Sequence, residues 1–131
     1  MRELKTILHV DDDDDILDLA RMGFELDGEL CVYQCRSGAE TLVDIGRIRP
    51  DLLLLDVMMP DMDGITLLST LRAQLESSDH LAVFMTGSVA ANRTDNSDAL
   101  GVIGHIRKPF DPLTLAPQVK SLWIEHFSRS T

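Results

Sequence analysis

The sequence predicts an α/β fold built on a doubly wound, five-stranded parallel sheet. Three observations point to it. Mostly apolar runs of about five residues recur five times along the chain, the length of a buried strand. Longer stretches with one apolar face separate them, as helical crossovers between parallel strands require. The runs are close to continuous rather than strictly alternating, which fits a sheet covered on both faces.

The strands are assigned to Thr6 to Val10, Cys31 to Cys35, Leu52 to Leu55, Leu81 to Met85 and, for the fifth, about Val102 to Ile106. Ile16, Leu19, Ala20, Gly23 and Phe24 supply the inner face of the first helix. Leu42, Val43, Ile45 and Gly46 supply that of the second, and Ile65, Leu67, Leu68 and Leu71 that of the third. Ser37-Gly38-Ala39-Glu40 is a capping box that opens the second helix, and Pro50 helps end the connection after it. Residues 88–100 are rich in Asn, Asp, Ser and Thr, whose side chains bond the backbone locally and compete with helix formation, so the fourth helix is expected to be short or mobile. In the fifth, Thr114 as N-cap places Pro117 at the third helical position, where no intrahelical amide bond is lost. Asp111 to Leu113 then form a turn, and Val119, Leu122, Trp123 and Phe127 dock the helix.

Composition bounds the function. A chain of 131 residues suits one domain with a real core; residues 1–131 are expected to be that single unit with no output domain, four residues following Phe127. A net charge of −10 repels phosphate polyanions and argues against nucleic acid as a partner. The excess is lopsided: residues 1–65 hold sixteen acidic and six basic side chains, residues 66–131 six of each. The N-terminus is no signal peptide and no apolar run reaches the ~18 residues of a membrane span, so a cytoplasmic protein without membrane insertion is expected. Cys31 and Cys35 make no disulfide framework, CxxC motif or zinc cluster and are expected to be buried thiols on the second strand.

In a doubly wound sheet the functional crevice lies beyond the carboxyl ends of the strands. The residues there are Asp11 to Asp15 after the first strand, Asp56 after the third, Thr86 after the fourth and Lys108 after the fifth. The later aspartates can serve as N-cap and first-turn acids of the first helix. Asp11 and Asp12 face the crevice, where with Asp56 they would repel one another strongly. A divalent cation resolves that conflict, and a hard oxygen site with few carboxylates suits magnesium, Mg²⁺. Lys108 is one of three lysines; an ammonium and a metal ion over one carboxylate form an anion trap of the kind phosphoryl transfer needs. His9 reads as a core or sheet-edge histidine, and Met58, Met59 and Met62 as a soft apolar rim.

Val10-Asp11-Asp12-Asp13, the run Asp56-Val57-Met58-Met59-Pro60-Asp61-Met62-Asp63-Gly64, Met85-Thr86-Gly87 and Lys108-Pro109-Phe110 together resemble the receiver domain of bacterial two-component response regulators, over essentially the whole chain. The resemblance implies a flavodoxin-like (βα)5 fold with strand order 2-1-3-4-5. It implies that Asp56 is the phosphoacceptor, that Asp11, Asp12 and Asp56 hold Mg²⁺ with the Met58 backbone carbonyl, that Lys108 pairs with the phosphoryl group and that Thr86 swings toward it. A cis bond between Lys108 and Pro109 is implied too. The implied donor is a histidine kinase or histidine phosphotransfer protein, and the output is binding to a downstream protein. The surface of the fourth helix, fifth strand and fifth helix is the family's usual interface, on which a homodimer would form.

Two positions depart from the family pattern. His105 stands where receivers carry Tyr or Phe, three residues before the lysine, and reads as a half-buried, neutral ring in aromatic space, the alternative being a pH-sensitive switch. Gly87 stands where alanine is common and leaves the site more open to water. A stand-alone phosphoacceptor that catalyses only its own phosphorylation and dephosphorylation is therefore expected. A Mg²⁺-dependent phosphatase of the haloacid dehalogenase type would need a second acid two positions after Asp56, where Met58 stands. A docking module that takes no phosphate would not need the Asp, Thr and Lys set.

Overall fold

A computed structural model describes residues 2–74, 80–87 and 100–129. In chain order these form β1 (Thr6–Val10), α1 (Asp14–Asp27), β2 (Cys31–Cys35), α2 (Gly38–Ile48), β3 (Leu52–Asp56), α3 (Gly64–Gln74), β4 (Leu81–Thr86), β5 (Val102–Arg107) and α4 (Pro112–Arg129). The five strands pair in parallel in the order β2-β1-β3-β4-β5. The helix expected over residues 88–100 lies outside the described residues except for Leu100, which sits in a turn; α4 is the helix expected as the fifth.

Strand β3 explains the two-sided core. Its side chains alternate between faces, and all four leucines are fully buried. Leu52 and Leu54 pack with Ile7, Phe24, Val83 and Trp123 under α1 and α4. Leu53 and Leu55 pack with Leu8, Ile45, Leu67 and Phe84 under α2 and α3. Each buried leucine contributes about 1.5–3 kcal/mol relative to exposure, and truncating one to alanine costs roughly 2–5 kcal/mol.

Helix α1 is opened by Asp13, whose side chain accepts from the Asp15 amide, and closed by Gly28 at φ 77°, a left-handed turn that glycine adopts without a Cβ clash. Its inner face is Leu17, Ala20, Gly23 and Phe24, whereas Leu19, expected there, lies 38% exposed. The stripe is turned because α1 packs on α4 as well as the sheet: a Cβ on Gly23 would stand 2.3 Å from the Pro112 carbonyl oxygen. Ser37 caps α2 by accepting from the Glu40 amide, and the Glu40 carboxylate accepts from the Arg36 amide. The inner face of α2 is Gly38, Thr41 and Ile45; Val43 is 80% exposed and Gly46 is exposed. A helix over the sheet margin has less apolar surface to meet, so its stripe is narrower than the sequence suggested.

Helix α4 begins three residues earlier than expected. Asp111, not Thr114, is the cap: its carboxylate accepts from the Leu113 amide at 2.9 Å. Pro112 takes the first helical position, where its missing amide costs nothing. Pro117 thus lies inside the helix and deprives the Leu113 carbonyl of an amide partner, at an exposed residue that water can reach. Trp123 anchors α4 at the end of the sheet where the strands begin. Its indole N–H donates to the Arg2 carbonyl at 2.8 Å, and the Arg2 guanidinium lies 5.1 Å from the ring centroid. Cys35 is buried as expected, but Cys31 is exposed, because β2 is an edge strand and its first residue extends past the cover of α2.

Candidate functional site

Parallel pairing of β1 with β3 brings their carboxyl ends side by side, so the acids that follow the apolar runs converge. Asp11, fully buried, accepts from the Asp13 amide at 2.9 Å and from Lys108 Nζ at 2.6 Å. Asp56 is 5% exposed; one of its oxygens lies 3.2 Å from the same ammonium and accepts from the Met58 amide at 3.3 Å. Asp12 is exposed, and Asp11, Asp12 and Asp56 offer oxygen atoms within 4.8 Å of one another. Such a cluster of hard donors, open to solvent through Asp12, fits a small divalent cation with several waters.

Electrostatics distinguish Asp56 and Lys108 from ordinary groups of their kind. Burial first, and then the Asp11 charge, push the Asp56 carboxyl up to about 6, against the opposing pull of Lys108 and the Met58 amide. For Lys108, burial alone would lower the affinity for the proton, but the hydrogen bonds and charges of Asp11 and Asp56 outweigh it and hold the ammonium above its usual range.

The strand ends supply the remaining groups. Thr86 is buried at the end of β4, and its carbonyl accepts from the Lys108 amide at 2.8 Å. The Lys108–Pro109 peptide bond is cis. No described atom lies within 4 Å of where a Cβ on Gly87 would stand. Of the three methionines read as a rim, only Met58 is strongly exposed, at 72%; Met59 and Met62 pack against the core under α2 and α3. His105 is half-buried, its ring 6.0 Å from that of Phe84, and burial lowers its affinity for a proton.

Three contributors were not legible as such in the sequence. Gly64 opens α3 against the end of β3: a Cβ there would stand 2.4 Å from the Asp56 carbonyl oxygen. Fully buried His9 is held neutral, its pKa lowered to about 3 by burial and then by the charges of Lys108 and Arg21. Its partner is Gln34, directly across on β2, whose amide nitrogen lies 3.2 Å from His9 Nδ1. A glycine after a Met-rich acidic loop and a glutamine in an edge strand carry no signal of these contacts.

The family model for the response regulator receiver domain matches residues 7–120. The chain belongs to that family. This receiver is 34% identical over 116 residues to the transcriptional regulatory protein PrrA of Mycobacterium leprae, covering 88% of this chain and 48% of that protein. It thus spans about half the length of such curated relatives. It is also 34% identical over 105 residues to sporulation initiation phosphotransferase F of Bacillus subtilis, covering 80% of this chain and 82% of that one. Among solved structures, the receiver is similar to the chemotaxis response regulator CheY4 of Vibrio cholerae, with a TM-score of 0.79 and 25% identity over 92% of this chain and 99% of that one. It is similar also to TrrA of Thermotoga maritima, solved in complex with Mg(2+)-BeF, with a TM-score of 0.74 and 26% identity over 91% and 99%. The receiver thus has the CheY-like, flavodoxin-like fold and is a signalling protein of two-component systems. Among the described residues no helix is long and apolar enough to cross a membrane.

Proposed function

We propose that this receiver accepts a phosphoryl group on Asp56 from the phosphohistidine of a histidine kinase or histidine phosphotransfer protein, and that the phosphorylated form binds a downstream protein. The observation that carries the reading is the Lys108 ammonium 3.2 Å from a buried Asp56 carboxylate that shares its crevice with Asp11 and Asp12. An Asp56 oxygen forms the new bond to phosphorus as the phosphorus–nitrogen bond of the donor breaks, and the imidazole leaves with the bonding pair and takes up a proton. Attack needs the carboxylate, and a pKa of about 6 leaves Asp56 mostly ionised at neutral pH. Bound Mg²⁺, held by Asp11, Asp12, Asp56 and the Met58 carbonyl, would supply positive charge to the phosphoryl oxygens. Lys108 supplies the second positive charge from the opposite wall, and the Thr86 hydroxyl donates to a phosphoryl oxygen. His105, kept neutral by burial, fills the aromatic place beside Phe84 and senses the position of Thr86 by packing. The Mg(2+)-BeF complex of TrrA and the phosphotransferase named among the relatives support the metal and the phosphoryl chemistry.

The test is incubation with Mg²⁺ and radiolabelled acetyl phosphate. Label in the wild type that is absent in Asp56→Asn supports the reading. Repeated turnover of varied phosphate esters would replace it with a phosphatase, against which the apolar Met58 stands, and an unlabelled wild type would leave a docking module.

A further inference from the structure

Resting on the reading of Asp11 and Asp12 as metal ligands, we propose that Gln34 and His9 form a positioning pair that fixes the β1–α1 loop, and with it the spacing of those two carboxylates.

The loop that carries Asp11 and Asp12 is only three residues long, from the end of β1 to the start of α1, and the pair braces both of its flanks. On the helix side, Gln34 Nε2 donates to the Leu17 carbonyl at 2.7 Å. Leu17 in turn donates its amide to the carbonyl of the cap residue Asp13 at 3.1 Å, whose own amide donates to the Asp11 carboxylate. On the strand side, the same Gln34 nitrogen meets Nδ1 of His9, two residues before Asp11 and on the same face of β1. A closed circuit results: β1, loop, α1 and back to β1 through one side-chain amide on β2.

The neighbours of Gln34 settle its orientation. The Leu17 carbonyl can only accept, and the Arg21 Nε–H, 3.0 Å from Gln34 Oε1, can only donate, so turning the amide over would set like against like at both ends. Its second N–H therefore goes to His9 Nδ1, which must accept, and the proton of the neutral imidazole sits on Nε2. Among the described residues that atom is buried with no hydrogen-bond partner. An enclosed N–H without an acceptor is costly, and a sequence under pressure for stability alone would put an apolar residue at this position. A polar residue kept there against that cost is what a positioning role requires. Supporting groups behind metal ligands commonly govern affinity by 10–100-fold.

The experiment combines ring ¹⁵N spectra of the metal-free protein with calorimetric Mg²⁺ titration of the wild type, Gln34→Leu and Gln34→Glu. The glutamate variant keeps the size and the Arg21 contact but cannot donate to Leu17 or His9, so it carries the test if the leucine variant does not fold. The expected results are an Nε2–H tautomer for His9 in the wild type and an Mg²⁺ dissociation constant about tenfold higher in both variants. Phosphorylation by acetyl phosphate at saturating Mg²⁺ is expected to stay within about threefold of wild type. A lower unfolding temperature with Mg²⁺ affinity within about twofold of wild type overturns the positioning role, since a merely structural contact predicts that pattern. An Nδ1–H tautomer overturns it as well. A wild type that binds no Mg²⁺ removes the metal reading together with this inference, whereas binding that is equal in all three proteins removes this inference alone.

Discussion

Gly64 stands against the carbonyl of Asp56, and a Cβ at position 64 would come within 2.4 Å of that oxygen and 3.2 Å of the Val57 Cα. The obstacle is backbone at the end of β3, which cannot turn aside as a flexible side chain could. Alanine normally gains up to about 1 kcal/mol over glycine in a helix. Here overpacking of roughly 1–3 kcal/mol opposes it and wins. Gly64→Ala is expected to unfold at lower urea concentration than the wild type and to accept label more slowly on Asp56. Unchanged values for both would show that α3 moves off the strand without consequence.

Helix glycines should divide by what lies above them. Gly23 faces the Pro112 carbonyl at 2.3 Å for an added Cβ, while Gly46 has no described atom within 4 Å and is exposed on α2. Gly46→Ala is expected to stabilise the protein by about 0.5–1 kcal/mol, and Gly23→Ala to destabilise it by roughly 1–3 kcal/mol. Chemical denaturation of the two variants side by side measures the difference in sign.

The pH dependence of stability follows from Asp56. Its carboxyl, ordinarily at 3.8, holds its proton up to about 6 in the folded, metal-free protein, so between these values the native state binds more protons than the unfolded one. The contribution is fully present below pH 4 and lost as pH rises through 6, on the order of 2 kcal/mol after allowance for solvent screening. Buried His9, lowered from 6.5 to about 3, slopes the other way over an overlapping range. The difference between wild type and Asp56→Asn isolates the carboxylate. In a chelator, the variant is expected to match the wild type only below about pH 4 and to exceed its stability by a growing margin up to pH 7.5. Parallel profiles from urea unfolding would contradict this.

Mg²⁺ should stabilise the fold through the same three carboxylates. At one hundred times its dissociation constant the ion contributes about 2.7 kcal/mol, which for a chain of this size raises the midpoint of thermal unfolding by about 10 °C. The rise is expected to shrink below pH 6, where protons compete for Asp56, and to fall sharply in Asp12→Asn. Calorimetric scans with and without Mg²⁺ at pH 5 and 7.5 check both statements.

Strand positions were legible in the sequence because a buried parallel strand needs a short continuous apolar run, and chains such as Leu52 to Leu55 admit no other use. Acids and the lysine of the crevice were legible for a related reason: a charge at the tip of an apolar run has to have a partner. Helix faces were less so. Leu19 and Leu17 are equally apolar, and only the approach of α4 at Gly23 decides which turns inward. Thr114 is a sound cap by residue type, but Asp111, three residues earlier and read as part of a turn, caps α4 with Pro112 at the first helical position. The roles of Gly64, Gln34 and His9 arise from residues 8 to 25 positions away meeting in space, which composition and periodicity do not encode.

The single tryptophan is locked by Arg2 at the end of the sheet where the strands begin, while Asp11 and Asp56 lie where they finish. Its emission will therefore report on the seating of the N-terminal segment and α4, a natural optical gauge of folding at the far pole of the molecule. Loading of the acidic crevice should leave that light nearly unchanged, so a fluorescence titration with a divalent ion will need a dye placed near the acids, and the accessible thiol of Cys31, which starts its strand beside Thr6, stands at the same far pole as the indole.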